Sequence, residues 1–214
     1  MSEAVTGRAA ARWVRRPGDA LAAACGLVVV AAGMLAVRDG DVPGWEADLF
    51  HAINDLPDAL NPVLWPFQQI GNLVVGPVLA LVAALLRRYR LACALLCATV
   101  GKLVLERAVK AMVSRQRPGT STGGEVHLRG DVHATGESFV SGHAVMVAAI
   151  ACLVVPYLPR RWKPVPWVLV GLVMVGRVYV GAHNPLDVIC GAALGIALGS
   201  VLNLVFAVPR DAPV

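Results

Sequence analysis

Charge is scarce in this 214-residue chain: Asp, Glu, Lys and Arg together make up 15% of it, against 57% hydrophobic residues. An ordinary soluble domain carries about 25% charged and about 45–50% apolar residues, so too little charge remains for a water-facing shell. That excludes a disordered chain, a soluble α/β enzyme and a nucleic-acid module. The mean hydropathy of +0.66 points the same way. The five cysteines (Cys25, Cys93, Cys97, Cys152, Cys190) all fall inside apolar runs. Neither a disulfide framework nor a zinc site is implied by that placement, and Cys93 and Cys97, one helical turn apart, read as packing. No small-residue cleavage site follows the basic start, where Arg8, Arg12, Arg15 and Arg16 stand, so it reads as a cytoplasmic anchor for a first span. Internal repeats, low-complexity tracts and a second domain are also missing. Residues 1–214 are therefore read as a single integral membrane domain.

Six apolar stretches are present, at 19–37, 70–86, 91–109, 141–158, 166–180 and 185–207. They predict an all-α, polytopic helix bundle with six transmembrane helices of about 20 residues each. Basic clusters recur at alternate gaps: the N-terminal arginines, Arg87-Arg88-Tyr89-Arg90, and Arg160-Arg161-Trp162-Lys163, with Arg210 in the tail. The gap at 38–69 instead holds Asp39, Asp41, Glu46, Asp48, Asp55 and Asp58 against Arg38. Cytoplasmic loops collect Lys and Arg, so both termini are expected in the cytoplasm and three loops outside. The net charge of +5 thus belongs to span ends rather than to a nucleic-acid partner. Trp45, Phe50, Trp65 and Phe67 in the first outer gap read as short amphipathic pieces at the interface.

Three short groups fall on the outer side: Lys110-x6-Arg117-Pro118, Phe139-Val140-Ser141-Gly142-His143, and Arg177-x5-His183-x3-Asp187. Singly, each has a plain structural reading. Lys110 and Arg117 can snorkel to headgroups, Ser141 is a good N-cap, and Asn184-Pro185-Leu186-Asp187 suits a helix start. Together they place three cations, two histidines and one carboxylate at one membrane depth, where ionisable groups are costly and usually functional. Three cations without matching carboxylates imply a multiply charged anion, and guanidinium forks fit phosphate oxygens. Ser141, Gly142 and His143 open a helix whose amides and dipole favour that anion. His183 precedes Asp187 by one turn, so the carboxylate can fix the ring's tautomer and free its other nitrogen as a nucleophile. His143 beside the cradle is placed as a general acid. No cluster of three or more acids stands on this face to hold magnesium, so no metal and no cofactor is expected, and the cations themselves must offset the transition-state charge.

These motifs resemble those of the type 2 phosphatidic acid phosphatases, the membrane lipid phosphatase branch of the acid phosphatase and vanadium haloperoxidase superfamily. That family's signatures are Lys-x6-Arg-Pro, Pro-Ser-Gly-His and Ser-Arg-x5-His-x3-Asp. The resemblance implies an acid phosphatase/haloperoxidase-like core and hydrolysis of a lipid phosphate or an isoprenoid diphosphate, such as undecaprenyl diphosphate or phosphatidic acid. It implies Lys110, Arg117 and Arg177 as phosphate ligands, with Ser141 and Gly142 in the oxyanion site. It further implies His143 as general acid, His183 as the nucleophile that becomes phosphohistidine, and Asp187 as its partner. Val140 stands where the family has proline and Gly176 where it has serine. A lipid phosphotransferase, or a non-enzymatic lipid-phosphate transporter or binder, is the alternative reading of the same cradle. Arg115, Arg129, His133 and Glu137 read as solvated loop residues. Glu106 and Arg107 read as paired with each other or with neighbours, and His51 and His127 carry no signal.

Overall fold

The computed structural model describes residues 13–210; Arg8 and Arg12 of the basic start lie outside the described residues. A short strand β1 (Trp13–Val14) leads into α1 (Pro17–Ala36), which starts with Pro17 in its first turn and Asp19 near its positive end. The acidic gap at 38–69 folds into α2 (Gly44–Asn54) and α3 (Asn61–Gln69). Then come α4 (Val75–Leu85), α5 (Tyr89–Met112) and the single turn α6 (Pro118–Ser121). The chain ends with α7 (Gly142–Val154), α8 (Pro164–Tyr179), α9 (Pro185–Phe206) and strand β2 (Val208–Pro209), which pairs antiparallel with β1.

Each expected stretch contains a helix, with shifted ends. The stretch at 70–86 becomes helical only from Val75, because residues 70–74 form successive turns. Among the described residues two helices, α1 and α9, are long and apolar enough to cross a membrane. At 1.5 Å per residue α4 is about 17 Å long, whereas α5 is about 36 Å long. The C-terminal half of α5 carries Lys102, Glu106, Arg107 and Lys110, which lower its hydropathy.

The core is built on small residues. α9 is the hub, packing on α1, α5, α7 and α8. Gly191, Gly195 and Gly199 recur every four residues and so share one helix face. A Cβ added at Gly191 would lie 2.7 Å from the Ser141 carbonyl, and one at Gly195 would lie 2.9 Å from the Ala148 Cβ. The two backbones therefore approach as closely as helices in membranes do, and α1 uses Gly26 and Gly33 against α9 in the same way. This close packing brings the first turns of α7 and α9 side by side, and the Ser141 amide donates to the Asp187 carbonyl at 3.0 Å.

The bundle has two distinct ends. At one, Arg15 donates to the Leu204 carbonyl, Arg16 to Pro209 and Arg90 to Phe206. Arg88 and Arg90 also stack on the Tyr157 and Trp13 rings. The other end holds α2, α3, the segment 113–141 and the α8–α9 junction. There α2 and α3 pack on α8, with Phe50 buried and Trp45 and Trp65 exposed.

Candidate active site

The α8–α9 junction supplies the histidine and carboxylate. Asn184 caps α9, and its amide donates to Asp187 Oδ2 at 2.8 Å while Pro185 occupies the first helical position. This capping box fixes Asp187 in the first turn, where a carboxylate is favoured. His183 and Asp187 are both buried. Their closest approach, Nδ1 to Oδ2, is 3.8 Å, longer than a hydrogen bond. The Ser138 hydroxyl lies between them, donating to Asp187 Oδ2 and standing 3.4 Å from His183 Nδ1. The expected partnership is thus relayed through a serine rather than direct. Burial first, and then Arg177 and Arg117, push His183 down to about 4 against the pull of Asp187. The ring is neutral at pH 7, as a nucleophile requires.

A cavity of about 380 Å³ opens at this end, with Arg117, His143 and Arg177 in its wall beside Trp65, Gln68, Asn72 and His133. His143 Nε2 lies 3.1 Å from Asn72 Oδ1, which accepts its proton and sets the tautomer. Asn72 in turn donates to Gln69. Gly71 makes this approach possible, since a Cβ there would lie 2.8 Å from the His143 ring. The Ser141 hydroxyl is buried without a partner, as is Arg177 Nε. The amides of Gly142, His143 and Ala144 form the first turn of α7, where no helical carbonyl is available to them. The Ser141 amide is not part of that set, because it is bonded to Asp187.

Lys110 does not reach the cavity wall. Its ammonium sits 2.8 Å from Glu106 Oε1, and Lys102 holds the other oxygen at 2.6 Å. Glu106 therefore pairs with its neighbours rather than with Arg107. The carboxylate packs against Gly142, where an added Cβ would lie 2.7 Å from Glu106 Cδ.

Two solvated-loop readings are corrected. Arg115 is fully buried, bonded to Asp187 Oδ1 at 2.9 Å and to both oxygens of Glu46 at 3.1 and 2.5 Å. Its pKa is raised: the cost of burial is outweighed by Glu46 and Asp187. Arg129 is tied to Asp58 at 2.7 Å and to the carbonyls of Asn54, Leu56 and Tyr179, with its guanidinium over the Tyr179 ring. Both readings failed because residues 110–140 fold back onto the bundle instead of projecting from it. Glu137 and His133 are exposed as expected. His51 contacts the Gly123 carbonyl at 2.7 Å.

The cations at the cavity end thus divide. Arg115, Arg129 and Lys110 are paired with carboxylates, whereas Arg117 and Arg177 form no ion pair among the described residues. Sequence reasoning missed Ser138, Asn72, Gly71 and Glu46. Ser138 stood three residues ahead of Ser141, and Glu46 had counted merely as one charge of an acidic loop. Among the described residues no group of three or more His, Cys, Asp or Glu side chains is arranged to hold a metal ion.

Three comparisons place this arrangement among known proteins. The chain is 32% identical over 158 residues to an undecaprenyl-diphosphatase of Sulfolobus acidocaldarius, covering 71% of this chain and 74% of that protein. The fold resembles the crystal structure of Aquifex aeolicus LpxE, with a TM-score of 0.66 and 26% identity over 72% of this chain and 92% of that one. It also resembles the transmembrane PAP2-type phosphatidylglycerolphosphate phosphatase of Bacillus subtilis, with a TM-score of 0.62 and 22% identity over 86% and 94%. The sequence profile of the PAP2 superfamily matches residues 89–210, the segment that holds all three motifs and both histidines. The chain belongs to the PAP2 superfamily.

Proposed function

We propose that this protein is an integral membrane phosphatase that hydrolyses a lipid phosphate or an undecaprenyl-type isoprenoid diphosphate through a phosphohistidine on His183. The observation that carries the reading is the pair of guanidinium groups without an ion-pair partner among the described residues, Arg117 and Arg177, in one cavity wall with His143 and near enough to the buried His183 to hold its ring neutral. The relatives' substrates, lipids bearing phosphate, suit the same site.

In the first step His183 Nε2 attacks phosphorus while the bond to the leaving oxygen breaks, and His143, entering the step as the imidazolium, gives that oxygen one proton and is left neutral. The Nδ1 proton stays on the ring, held towards Ser138 and Asp187. In the second step water attacks phosphorus, His143 takes its proton, and the P–N bond breaks to release phosphate. Arg117, Arg177, the Ser141 hydroxyl and the first-turn amides of α7 stabilise the equatorial oxygens. Lys110 contributes charge from beyond Glu106, and no metal takes part in these steps.

For the membrane, α1, α4, α5, α7, α8 and α9 with their flanking turns are the six spans. The end that gathers Arg15, Arg16, Arg88 and Arg90 is cytoplasmic and the cavity faces outward. The gathering of those arginines on β1, β2 and Tyr157 supports this orientation. An outward cavity suits a substrate presented on the outer leaflet.

The test is phosphate release by purified protein against undecaprenyl diphosphate, a short isoprenoid diphosphate, phosphatidic acid, phosphatidylglycerol phosphate and a water-soluble ester. Turnover of a lipid substrate, abolished by His183→Ala, is the expected result. Full activity of that variant would sink the mechanism. Orientation is read with an impermeant thiol reagent on intact cells, in a background without the five native cysteines. Both Glu125 and Arg161 are exposed, and a cysteine at 125 is expected to label while one at 161 does not.

A further inference from the structure

The buried cluster behind His183 is larger than one carboxylate. Glu46 comes from α2, Arg115 from the segment after α5, Ser138 from the segment before α7 and Asp187 from α9. All four are fully buried. Every carboxylate oxygen is engaged: Glu46 Oε1 also accepts the Leu186 amide at 2.8 Å, and Asp187 Oδ2 accepts the Asn184 amide. Burying two carboxylates with one guanidinium is costly, and a well-packed apolar cluster would hold the same elements together without that cost.

The charge count gives the reason. Two carboxylates against one guanidinium leave the cluster with one net negative charge while His183 is neutral. When phosphorus bonds to one ring nitrogen and the other keeps its proton, the ring becomes a cation, and the cluster with the ring becomes neutral. We propose that Arg115 and Glu46 are positioning residues that hold Asp187 ionised and set the charge against which the phosphorylated His183 ring is stabilised. Ser138 carries the contact, accepting from Nδ1–H and donating to Asp187. The inference rests on the phosphohistidine reading of His183 and adds the groups that tune it.

The groups that act on His183 are Asp187, Ser138, Arg117, Arg177 and His143, with Arg115 and Glu46 standing behind Asp187. Removing Arg115 leaves extra negative charge and draws a proton onto the ring at higher pH. Removing the charge of Glu46 does the opposite. A unit charge at such distances moves a neighbouring group by about one pK unit, a factor of about ten.

The experiment compares wild type, His183→Ala, Glu46→Gln, Arg115→Met and Arg115→Lys as purified full chains in detergent. The best lipid substrate of the panel is used, and kcat, KM, thermal midpoint and the pH profile are recorded. Glu46→Gln is expected to lower kcat about tenfold at unchanged KM, with its acid limb at or below that of wild type. Arg115→Met is expected to move the acid limb up by about one unit, so that activity lost at pH 5 returns largely by pH 7.5. Arg115→Lys is expected to fall between it and wild type. Glu46→Gln with wild-type kcat, or acid limbs that move together in both charge variants, would overturn the proposal even if both variants melted earlier. Should Arg115→Met fail to fold, kcat and KM of Glu46→Gln decide it alone. An inactive wild type, or an active His183→Ala, would instead remove the phosphohistidine reading beneath it.

Discussion

The two ends of the bundle use the same side chain for opposite ends. At the β1–β2 end, Arg15, Arg16 and Arg90 donate to carbonyls of the last helix and strand, and Arg88 and Arg90 lie on aromatic faces. These guanidinium groups keep contact with water and form no ion pair among the described residues. At the cavity end, Arg115 is sealed between two carboxylates and Arg129 makes four hydrogen bonds, whereas Arg117 and Arg177 line a cavity and form no ion pair among the described residues. An exposed arginine holding a chain end is a matter of about 0–1 kcal/mol. A half-buried one in a cavity wall without a paired carboxylate keeps its charge free for an anion. Arginine number therefore says little about role; the presence or absence of a paired carboxylate says much more.

Substitutions can break this comparison. The largest effect is expected from Arg177→Ala and Arg117→Ala, each lowering kcat/KM by about 10²–10³-fold, as for loss of a preorganised charge donor. Arg90→Ala is expected to leave kcat/KM unchanged within a few-fold. Equal losses at both ends would dissolve the distinction, and steady-state kinetics on the three variants reads it directly.

Next is Gly71→Ala. The added methyl meets the His143 ring, and displacement of a catalytic group by about 1 Å costs on the order of 10²-fold. Its expected signature is a fall in kcat that is smaller for a substrate whose leaving group needs no proton. A thermal midpoint near wild type would show that the ring, not the fold, was disturbed.

The stability counterpart is Arg115→Met against Arg90→Ala. Breaking a buried pair costs about 3–5 kcal/mol, while Arg90→Ala is expected within about 1 kcal/mol. Chemical denaturation in mixed micelles compares them, and similar midpoints would contradict the burial argument.

The smallest effect is expected from Gly176→Ser, which restores the serine of the family motif. A Cβ at Gly176 would sit 3.1 Å from Gln68 Cγ, and Gln68 accepts from Arg177 Nη1 at 3.2 Å. Gln68 already fills the space and supplies the polar contact, so activity should change by less than about threefold, far below the loss from removing a charge donor. A large gain would mean that the hydroxyl itself binds phosphate.

Much of this arrangement was legible in the sequence because its signals are local. His183 and Asp187 stand one turn apart across a capping box, and Ser141 to His143 open a helix. Spacing alone locates both. Arg115 was not legible, although it lies two residues from Arg117. Its partners Glu46 and Asp187 are 69 and 72 residues away, and pairings of that range are set by how the bundle closes. Lys110 shows a local pairing that the motif masks: Glu106 stands one turn before it and holds its ammonium at 2.8 Å. The glycines at 191, 195 and 199 were read as part of an apolar run, where hydrophobicity masks spacing. The six stretches were visible as hydropathy, but the turns before α4 and the charges on α5 are local events that a hydropathy count averages away.

The position of α9 as the hub also governs when the protein can exist as a working object. It packs on α1, α5, α7 and α8, yet it is synthesised after all four. Until it enters, α1 has no partner for Gly26 and Gly33, the Ser141 amide has no carbonyl from Asp187, and Arg115 lacks one of its two carboxylates. Arg115 is therefore made well before the carboxylate on α9 that balances it. The cavity end is complete only once the α8–α9 hairpin has inserted among helices made before it.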